Sequence, residues 1–285
     1  MKKWMALACV LSMTAGLLAG CGAQSAQTQE SAAETEVKET EAAETEAAEA
    51  ERTTFTVGFD AEFPPYGYKD EAGEYVGFDL DLARAVCEKN GWEFVAQPID
   101  WDAKDMELSS GAIDCIWNGF TMNGREDAYT WSVPYIDNSQ VFVVPAESGI
   151  ASKADLAGKV VGVQKDSSAL AALNDEENAD LKASFTDLVE YADYNTAFMD
   201  LEAGAIEALA IDIGVASYQI ESRGDGYVML EEPLSTEQYG IGFLKGNDAL
   251  KDTVEKTLLA LNDEGVVAQT AEKYGIDTSM ICLGK

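Results

Sequence analysis

The stretch from Gly111 to Arg125, GAIDCIWNGFTMNGR, carries the pattern on which the predicted fold depends. A glycine closes a helical pattern, a short apolar run follows at once, and a turn of small residues leads to one arginine. Glycine readily adopts the left-handed conformation at which helices end, and a short apolar run between turn residues is typical of a buried strand. The stretch therefore predicts a helix end, a strand, and a turn at the carboxyl end of that strand.

The same pattern occurs a second time in the chain. Residues 108–114 read LSSGAID and residues 201–207 read LEAGAIE, so each predicts a helix that ends on glycine just before a strand. Gly119 and Asp212 follow the two glycines at the same spacing. Both are expected at carboxyl strand ends, where open α/β sheets bind their ligands. We therefore expect two similar lobes that face each other across a cleft.

Composition narrows the class of protein before any other motif is considered. A length of 285 residues is sufficient for two domains, and 47% hydrophobic with 25% charged residues is typical of a globular chain. The net charge of −33 argues against a nucleic-acid partner, whose phosphates would be repelled. The chain has no histidine, which excludes Ser-His-Asp and Cys-His catalysis and His-bearing zinc sites. No cofactor and no metal are expected.

Residues 1–20 have the composition of a signal peptide, with two lysines, an apolar run and then small residues. The apolar run is too short to predict a membrane span. Leu18-Ala19-Gly20-Cys21 resembles the lipobox of bacterial lipoproteins, which implies that Cys21 carries an acyl anchor such as palmitate. The alternative is an ordinary signal peptide with an incidental cysteine. An acyl anchor would hold the protein at a membrane surface without spanning the membrane.

Residues 21–54 are rich in Ala, Glu, Thr, Gln and Ser and contain no aromatic residue. Repeated glutamates with few basic partners oppose a helix, and there is no apolar stripe to bury. We expect a solvated tether, with the folded part beginning near Phe55. Among the later cysteines, Cys87 and Cys115 lie in apolar runs and are expected to be buried. Whether they or Cys282 form a disulfide is left open.

The first part of the folded chain reads as alternating strands and helices. A strand from Phe55 to Phe59 precedes a helix for which Asp79 is the predicted N-cap. A strand near residues 92–97, a helix to Ser110 and a strand at Ile113 follow. The order βαβαβ predicts a parallel sheet with right-handed crossovers.

A second α/β series begins at the strand Lys159 to Val163, and the chain is later predicted to cross back into a strand from Tyr239 to Leu244. The predicted fold class is α/β with two lobes joined by a hinge. Residues 55–137 and 237–285 form lobe 1, and the inserted residues 138–236 form lobe 2. Because the chain connects the lobes twice, the arrangement suits hinge closure around a ligand.

Five groups of short motifs make the chain from Phe55 onward resemble a known family. They are Gly58-Phe59-Asp60 with Pro64-Pro65-Tyr66, Gly77-Phe78-Asp79-Leu80-Asp81-Leu82-Ala83, Gly111-Ala112-Ile113-Asp114, Gly162-Val163-Gln164 with Ser167-Ser168, and Tyr239-Gly240-Ile241-Gly242-Phe243. In this order they resemble solute-binding protein family 3 of polar amino-acid ABC importers, which includes glutamine-, histidine- and lysine/arginine/ornithine-binding proteins. The resemblance implies a two-lobed, periplasmic-binding-protein-like (type II) fold that closes on one free L-amino acid. It also implies an ABC importer permease as partner, a monomer, and a place on the extracytoplasmic face of the cell membrane.

An amino acid needs donors for its carboxylate and an acceptor for its ammonium group on opposite sides of a dry cleft. Arg125 offers a planar bidentate fork for a carboxylate, and Asp212 can pair with an ammonium. By the resemblance, the positions that hold these two groups are Gly119, Thr121, Arg125, Ser167, Ser168 and Asp212. The alternatives are a surface ion pair for Arg125 and helix capping by Ser168 and Asp212. The run from Thr121 to Arg125 is one residue shorter than in the family, which leaves the placement of Arg125 open.

A second set of positions is assigned to the ligand side chain by the same resemblance. These are Asp60, Phe63, Tyr66, Trp101, Trp117 and Asn118. Asp60 would favour a guanidinium, ammonium or amide donor and would disfavour an acidic amino acid, because burying two like charges together is costly. We therefore expect a neutral polar or cationic amino acid. Alternatively, Trp101 and Trp117 are core residues and Asp60 is a turn residue.

Two other functions fit the same scaffold, since one fold hosts unrelated functions. A secreted cyclohexadienyl (arogenate or prephenate) dehydratase needs a proton donor, for which Asp60, Glu62 and Asp212 are the candidates. The other is the ligand-sensing domain of a receptor. Because an amino-acid clamp already accounts for the charged residues, we expect a binding protein and not an enzyme.

Overall fold

A computed structural model describes residues 52–285 of the chain. The predicted signal peptide, Cys21 and most of the predicted tether lie outside the described residues. Among residues 52–285, no helix is long and apolar enough to cross a membrane.

The strands alternate with helices along most of the chain. In chain order the strands are β1 Thr54–Phe59, β2 Glu62–Phe63, β3 Gly67–Lys69, β4 Tyr75–Val76, β5 Glu93–Pro98, β6 Cys115–Ile116, β7 Thr130–Trp131, β8 Ile136–Pro145, β9 Val160–Gln164, β10 Asp187–Tyr191, β11 Ala208–Asp212, β12 Tyr227–Met229, β13 Ser235–Tyr239 and β14 Gly242–Phe243. The α-helices are α1 Phe78–Asn90, α2 Lys104–Ser110, α3 Ser168–Asn174, α4 Ala179–Ser184, α5 Tyr194–Glu202, α6 Ile213–Arg223, α7 Asp248–Asp263 and α8 Val266–Lys273. Short 3-10 helices lie at Trp101–Ala103, Lys153–Leu156, Glu176–Asn178 and Thr278–Met280.

The strands form two larger sheets and one small one. The first sheet has the order β5-β1-β6-β14-β7, with β1 parallel to β5 and β6, and β14 antiparallel to β6 and β7. The second has the order β10-β9-β11-β8-β12, with β13 also paired to β8. In it β9 is parallel to β10 and β11, whereas β8 is antiparallel to its partners. The predicted two-lobed α/β fold is confirmed; β2, β3 and β4 form the small sheet.

The repeated glycine pattern forms the predicted helix-to-strand turns. Helix α2 is followed by Gly111 in the left-handed conformation at φ 76°, and β6 begins a few residues later. Helix α5 and β11 are separated by a turn that contains Gly204 at φ 73°. Both strands begin later than expected, because the residues next to each glycine still belong to the turn.

The predicted strand from Tyr239 to Leu244 is wrong. The chain instead forms two strands in different sheets: β13 pairs with β8 in the second sheet, and β14 pairs with β6 and β7 in the first. The interruption falls at Gly240 and Ile241, so the chain passes between the sheets there. Strands β8 and β13 lie side by side, with Glu237 opposite Asn138. The predicted lobe boundaries, at residues 137/138 and 236/237, fall within these paired strands and stay a prediction.

The prediction that Asp79 caps helix α1 is also wrong. The helix begins at Phe78 with Gly77 in the N-cap position, and no side chain makes a capping bond. The fully buried carboxylate of Asp79 instead accepts hydrogen bonds from the Gly119 N–H at 2.5 Å and the Tyr135 hydroxyl at 2.8 Å. Its burial raises the pKa of Asp79 to about 7. Asp79 therefore ties α1 to the turn that follows β6.

The core of the first lobe forms where α1 and α7 pack on the first sheet. The face of α1 that carries Leu80, Ala83, Val86 and Cys87 is buried. Cys87 and Cys115 are both buried, and these two and Cys282 are free thiols. The three cysteines of the described residues are therefore unbridged.

Leu258 of α7 is fully buried, so truncation there should leave a cavity under the first sheet. We expect Leu258→Ala to lower the free energy of unfolding by about 2–5 kcal/mol, as is usual for such substitutions. Lys256→Ala on the exposed face of the same helix is the matched control and should change it by no more than about 0.5 kcal/mol. Urea unfolding followed by circular dichroism measures both. Equal effects would contradict the assigned orientation of α7.

Candidate functional site

Residues at carboxyl strand ends of both sheets meet at one place. Asp60 follows β1, Asn118 and Gly119 follow β6, and Gln164 and Asp212 end β9 and β11. This is the edge at which parallel α/β sheets bind ligands. A small cavity of about 10 Å³ lies there, lined by Phe63, Trp101, Asn118, Gly119, Gln164, Ser167, Ser168 and Asp212.

The Arg125 guanidinium lies between the two lobes. Its Nη1 donates to the Thr121 carbonyl oxygen at 3.2 Å and to the Ser168 Oγ at 3.4 Å, and its Nη2 donates to the Asp166 carbonyl oxygen at 3.2 Å. The Ser168 hydroxyl donates to Thr121 Oγ1 at 2.7 Å. The guanidinium also lies over the Phe120 ring, 5.2 Å from its centroid. The predicted carboxylate donors of the two lobes are therefore brought together, and the guanidinium is turned into the cleft.

Asp212 ends β11 and is buried, with 4% of its surface exposed. It occupies the N-cap position of α6 but makes no side-chain capping bond. Its Oδ1 instead accepts from Asn138 Nδ2 at 2.9 Å, from Gln140 Nε2 at 2.8 Å and from the Tyr239 hydroxyl. Burial, followed by the nearby Glu237 carboxylate, raises the pKa of Asp212 to about 7. Capping is therefore not the role of this side chain.

The Asp60 carboxylate accepts hydrogen bonds both within the turn after β1 and from the other lobe. Its Oδ1 accepts from the Glu62 N–H at 2.8 Å, a bond within the turn, and its Oδ2 accepts from Gln164 Nε2 at 2.7 Å. Its own N–H donates to Asn118 Oδ1 at 2.9 Å. Burial raises the pKa of Asp60 to about 6. A buried carboxylate whose partners are neutral is well placed to attract a cation.

Most of the predicted ligand positions lie at the cavity, but two lie behind it. Phe63, Trp101, Asn118, Gly119, Ser167, Ser168 and Asp212 line it, whereas Asp60, Thr121 and Arg125 bond to residues that do. Trp117 is fully buried in the core and packs against Tyr135 with ring centroids 6.4 Å apart. Tyr66 is fully buried edge-on against Tyr239, at 5.3 Å between centroids. The position of Trp117 fits the alternative that it is a core residue.

Gly214, at the start of α6, lies close against the Tyr66 side chain. A Cβ atom on Gly214 would clash with the Tyr66 hydroxyl and would lie 3.0 Å from its ring atoms. Tyr66 belongs to the part of the chain around the first sheet, and Gly214 to the part around the second. The lobes can therefore approach this closely only because residue 214 has no side chain.

Sequence reasoning missed several polar residues of the site. Gln164, Asn138, Gln140 and Glu237 are buried there, and the Glu237 carboxylate accepts from Thr121 Oγ1 at 2.8 Å. One signal was present: Asn138 and Gln140 are polar residues two positions apart in β8, so they share a face, and the second half of that strand is apolar. The partners of that face come from distant parts of the chain, which no local pattern reveals.

A buried lysine joins the lobes at the edge of the cleft. Lys104 is 2% exposed, forms an ion pair with Asp166, and lies 5.1 Å from the centroid of the Trp101 ring. Burial lowers the pKa of Lys104, while Asp166 acts in the opposite direction. Asn195 and Glu62 make a further hydrogen bond across the cleft. These contacts hold the lobes closed in the described conformation.

The chain is similar in sequence and in fold to known solute-binding proteins. The family described as bacterial extracellular solute-binding proteins, family 3, matches residues 55–277. The L-cystine-binding protein TcyJ of Escherichia coli K12 is 29% identical and covers 80% of this chain and 85% of its own length. The arginine-binding extracellular protein ArtP of Bacillus subtilis is 26% identical and covers 96% and 98%. A substrate-binding protein of an ABC uptake transporter from Streptococcus pneumoniae, solved with bound histidine, superimposes with a TM-score of 0.75 at 34% identity, covering 81% and 94%.

Removing the Lys104 ammonium should favour separation of the lobes, because the pair with Asp166 is made only when the cleft is closed. We expect Lys104→Met to increase the radius of gyration measured by small-angle X-ray scattering. Lys159→Met is the matched control, since the Lys159–Glu207 pair at 2.9 Å lies within the second lobe. That variant should scatter like the wild type. If both variants keep the wild-type radius, the Lys104 pair does not hold the cleft closed.

Proposed function

The chain belongs to family 3 of the bacterial extracellular solute-binding proteins, and we propose that it captures a free L-amino acid as a monomer and delivers it to an ABC importer. The observation that carries this proposal is a cleft bordered by the Arg125 guanidinium and the buried Asp212 carboxylate. Ser168 lines the cavity and accepts from Arg125, while Asp212 lines the same cavity. An acidic acceptor that lines the cavity and a basic fork bonded to its Ser168 wall suit the two charged ends of a zwitterion.

In the proposed complex the ligand carboxylate lies against Arg125, Thr121 and Ser168. The ligand ammonium lies against the Asp212 carboxylate and the Gly119 carbonyl oxygen. A cavity of about 10 Å³ has room for about one water molecule. An amino acid therefore requires the lobes to separate first and then to close around it. The paired strands β8 and β13, where both predicted connections lie, are the proposed hinge.

We propose that the ligand is a neutral polar or cationic amino acid. The Asp60 carboxylate is buried and bonds to neutral groups, so a ligand cation or amide would find a partner there. An acidic side chain would face buried negative charge, which is costly. The names of the relatives agree with this preference, since they refer to cystine, arginine and histidine.

Catalysis is the less favoured reading of the same cleft. The raised pKa values of Asp60 and Asp212, about 6 and about 7, are suitable for a proton donor such as a dehydratase needs. The matching family and the relatives are nevertheless named as binding proteins. We therefore propose that the ligand is released unchanged.

A thermal-shift screen with the twenty amino acids, together with prephenate and arogenate, tests the proposed function. At a hundredfold excess over the dissociation constant, a ligand stabilises the folded protein by about 2.7 kcal/mol. We expect a polar or cationic amino acid to give such a shift, and we expect neither acid to be converted to product. Absence of any stabilising amino acid, or turnover of prephenate or arogenate, would contradict the proposal.

With the ligand found in that screen, Arg125→Ala and Asp212→Ala should each weaken binding by about 2 kcal/mol or more, because each leaves a ligand charge unpaired in a closed cleft. Isothermal titration calorimetry measures the loss. Arg84→Ala, on the exposed side of α1, is the control and should bind like the wild type. Wild-type affinity in either of the first two variants would show that the residue does not hold the ligand.

We also propose that the signal peptide is removed and that Cys21 carries an acyl anchor, which places the protein on the extracytoplasmic face of the cell membrane. Each buried methylene of an acyl chain contributes about 0.8 kcal/mol to membrane binding. In a bacterial host, Cys21→Ser should therefore move the protein from the membrane fraction to the soluble fraction. Cys282→Ser, which changes a free thiol of the folded part, should stay with the membrane. Membrane retention of the Cys21 variant would rule out this anchor.

A further inference from the structure

Asp212 and Glu237 are brought together by the register of three neighbouring strands. Strand β8 lies between β11 and β13, with Gln140 opposite Asp212 and Asn138 opposite Glu237. Asn138 and Gln140 are two positions apart and so point to the same face of the sheet. The four side chains therefore lie together on one face of the second sheet.

The two amides bond to both carboxylates at once. Asn138 Nδ2 donates to Asp212 Oδ1 at 2.9 Å and to Glu237 Oε1 at 2.7 Å. Gln140 Nε2 donates to the same two oxygens at 2.8 and 2.7 Å. Each amide NH₂ group has two hydrogens, so both are fully used. The carboxylates are thus held close together, but the amides bring no positive charge to them.

The surroundings supply little positive charge. Arg125 is the cation that acts on Glu237, and it is part of the proposed carboxylate clamp. The other titratable groups that face the pair from neighbouring segments are the phenols of Tyr66, Tyr194 and Tyr239. Burial is the largest cause that raises the pKa of both Asp212 and Glu237. Two buried carboxylates that share the same two amide donors resist being ionised together, so the second of them ionises only at raised pH unless a cation joins them.

The two carboxylates lie near a buried hydroxyl group, that of Tyr66. The Tyr66 hydroxyl is fully buried, has no hydrogen-bond partner among the described residues, and belongs to a ring that packs on Tyr239. Both carboxylates act on the Tyr66 phenol. The Asn138 and Gln140 carbonyl oxygens are buried and unpartnered as well. A small cationic group bound to the two carboxylates would therefore have further acceptors close by, namely these three oxygen atoms.

We propose that Glu237 is a further ligand-binding residue, and that Glu237 and Asp212 together hold one proton in the open cleft and exchange it for the ammonium group of the ligand. This inference rests on the proposed function, because it needs an amino acid as ligand. The ammonium arrives with its own hydrogens and donates to the two carboxylates. The displaced proton leaves to solvent, so one ligand bound releases one proton.

The pH dependence follows from the direction of the shift. Below the raised upper pKa of the pair, a proton occupies the site, so affinity for the ammonium falls as pH falls. Above that pKa both groups are ionised, so binding releases no proton and affinity is highest. The proton belongs to the pair and to neither residue alone. A Glu237 that only braced the hinge strands would give no such coupling between ligand and proton.

Calorimetry in buffers of different ionisation enthalpy counts the released protons. With L-arginine and L-glutamine as probes, the wild type should release about one proton per ligand near pH 6 and close to none near pH 8. Glu237→Gln leaves a single ionisable group among the same neutral donors. It should bind at least about tenfold more weakly near pH 8, a loss of about 1.4 kcal/mol, and release less than half as many protons near pH 6. Glu231→Gln, at an exposed position of the same segment, should match the wild type at both pH values.

Four outcomes overturn the inference. Binding without proton release in the wild type, or unchanged release in Glu237→Gln, would reject the shared proton and leave the proposed function standing. Failure of every amino acid in the screen to bind would reject both. Carboxyl ¹³C NMR of the unliganded wild type, with the Asp212 and Glu237 resonances assigned, is independent of how the variant folds: titration of either carboxyl between about pH 6 and pH 8 supports the pair, and its absence from both overturns it.

Discussion

The antiparallel pairing of β8 with β13 is the constraint on which the rest of the structure depends. Both strands lie at the passage between the two sheets, so a single ladder carries both connections from the second sheet to the first. The same register sets Glu237 opposite Asn138 and so determines which polar side chains meet at the cleft. Strand pairing is more rigid than loops, and a binding site built on strands is positioned accordingly. The proposed hinge and the proposed site therefore share one pair of strands.

Charge balance explains why the cleft suits a zwitterion with an additional donor. Asp60, Asp212 and Glu237 are all buried there, whereas Arg125 is the basic group facing them and Lys104 is already paired with Asp166. Neutral amides and hydroxyls satisfy the hydrogen-bonding capacity of these carboxylates but leave their charge uncompensated. Desolvated charge of one sign favours partners of the opposite sign. In the proposed function, the preference for a ligand with an additional donor thus arises because the cleft carries more negative than positive charge, and the ligand compensates the difference.

The sequence was most informative where the cause of structure is local. Gly111 marked a helix end and Asp212 a strand end, because glycine conformation and apolar runs act over a few residues. Tyr239 to Leu244 reads as one strand, and the break at Gly240 arises from which sheet each half joins. Asp79 reads as a cap because its partner, the Gly119 N–H, lies far along the chain. Trp117 was assigned to the ligand although it is buried in the core, and Glu237 was not identified at all. The reason is the same for both: burial and cross-strand neighbours are decided by tertiary packing.

The two lobes fit together at Gly214 because this residue carries a hydrogen atom where every other residue carries a side chain. The Tyr66 hydroxyl occupies the space that any other side chain at position 214 would need. Even alanine at position 214 would keep the cleft from closing completely, while both lobes would stay folded. In the proposed function, a side chain at position 214 would therefore hinder closure around the ligand without removing any residue that binds it.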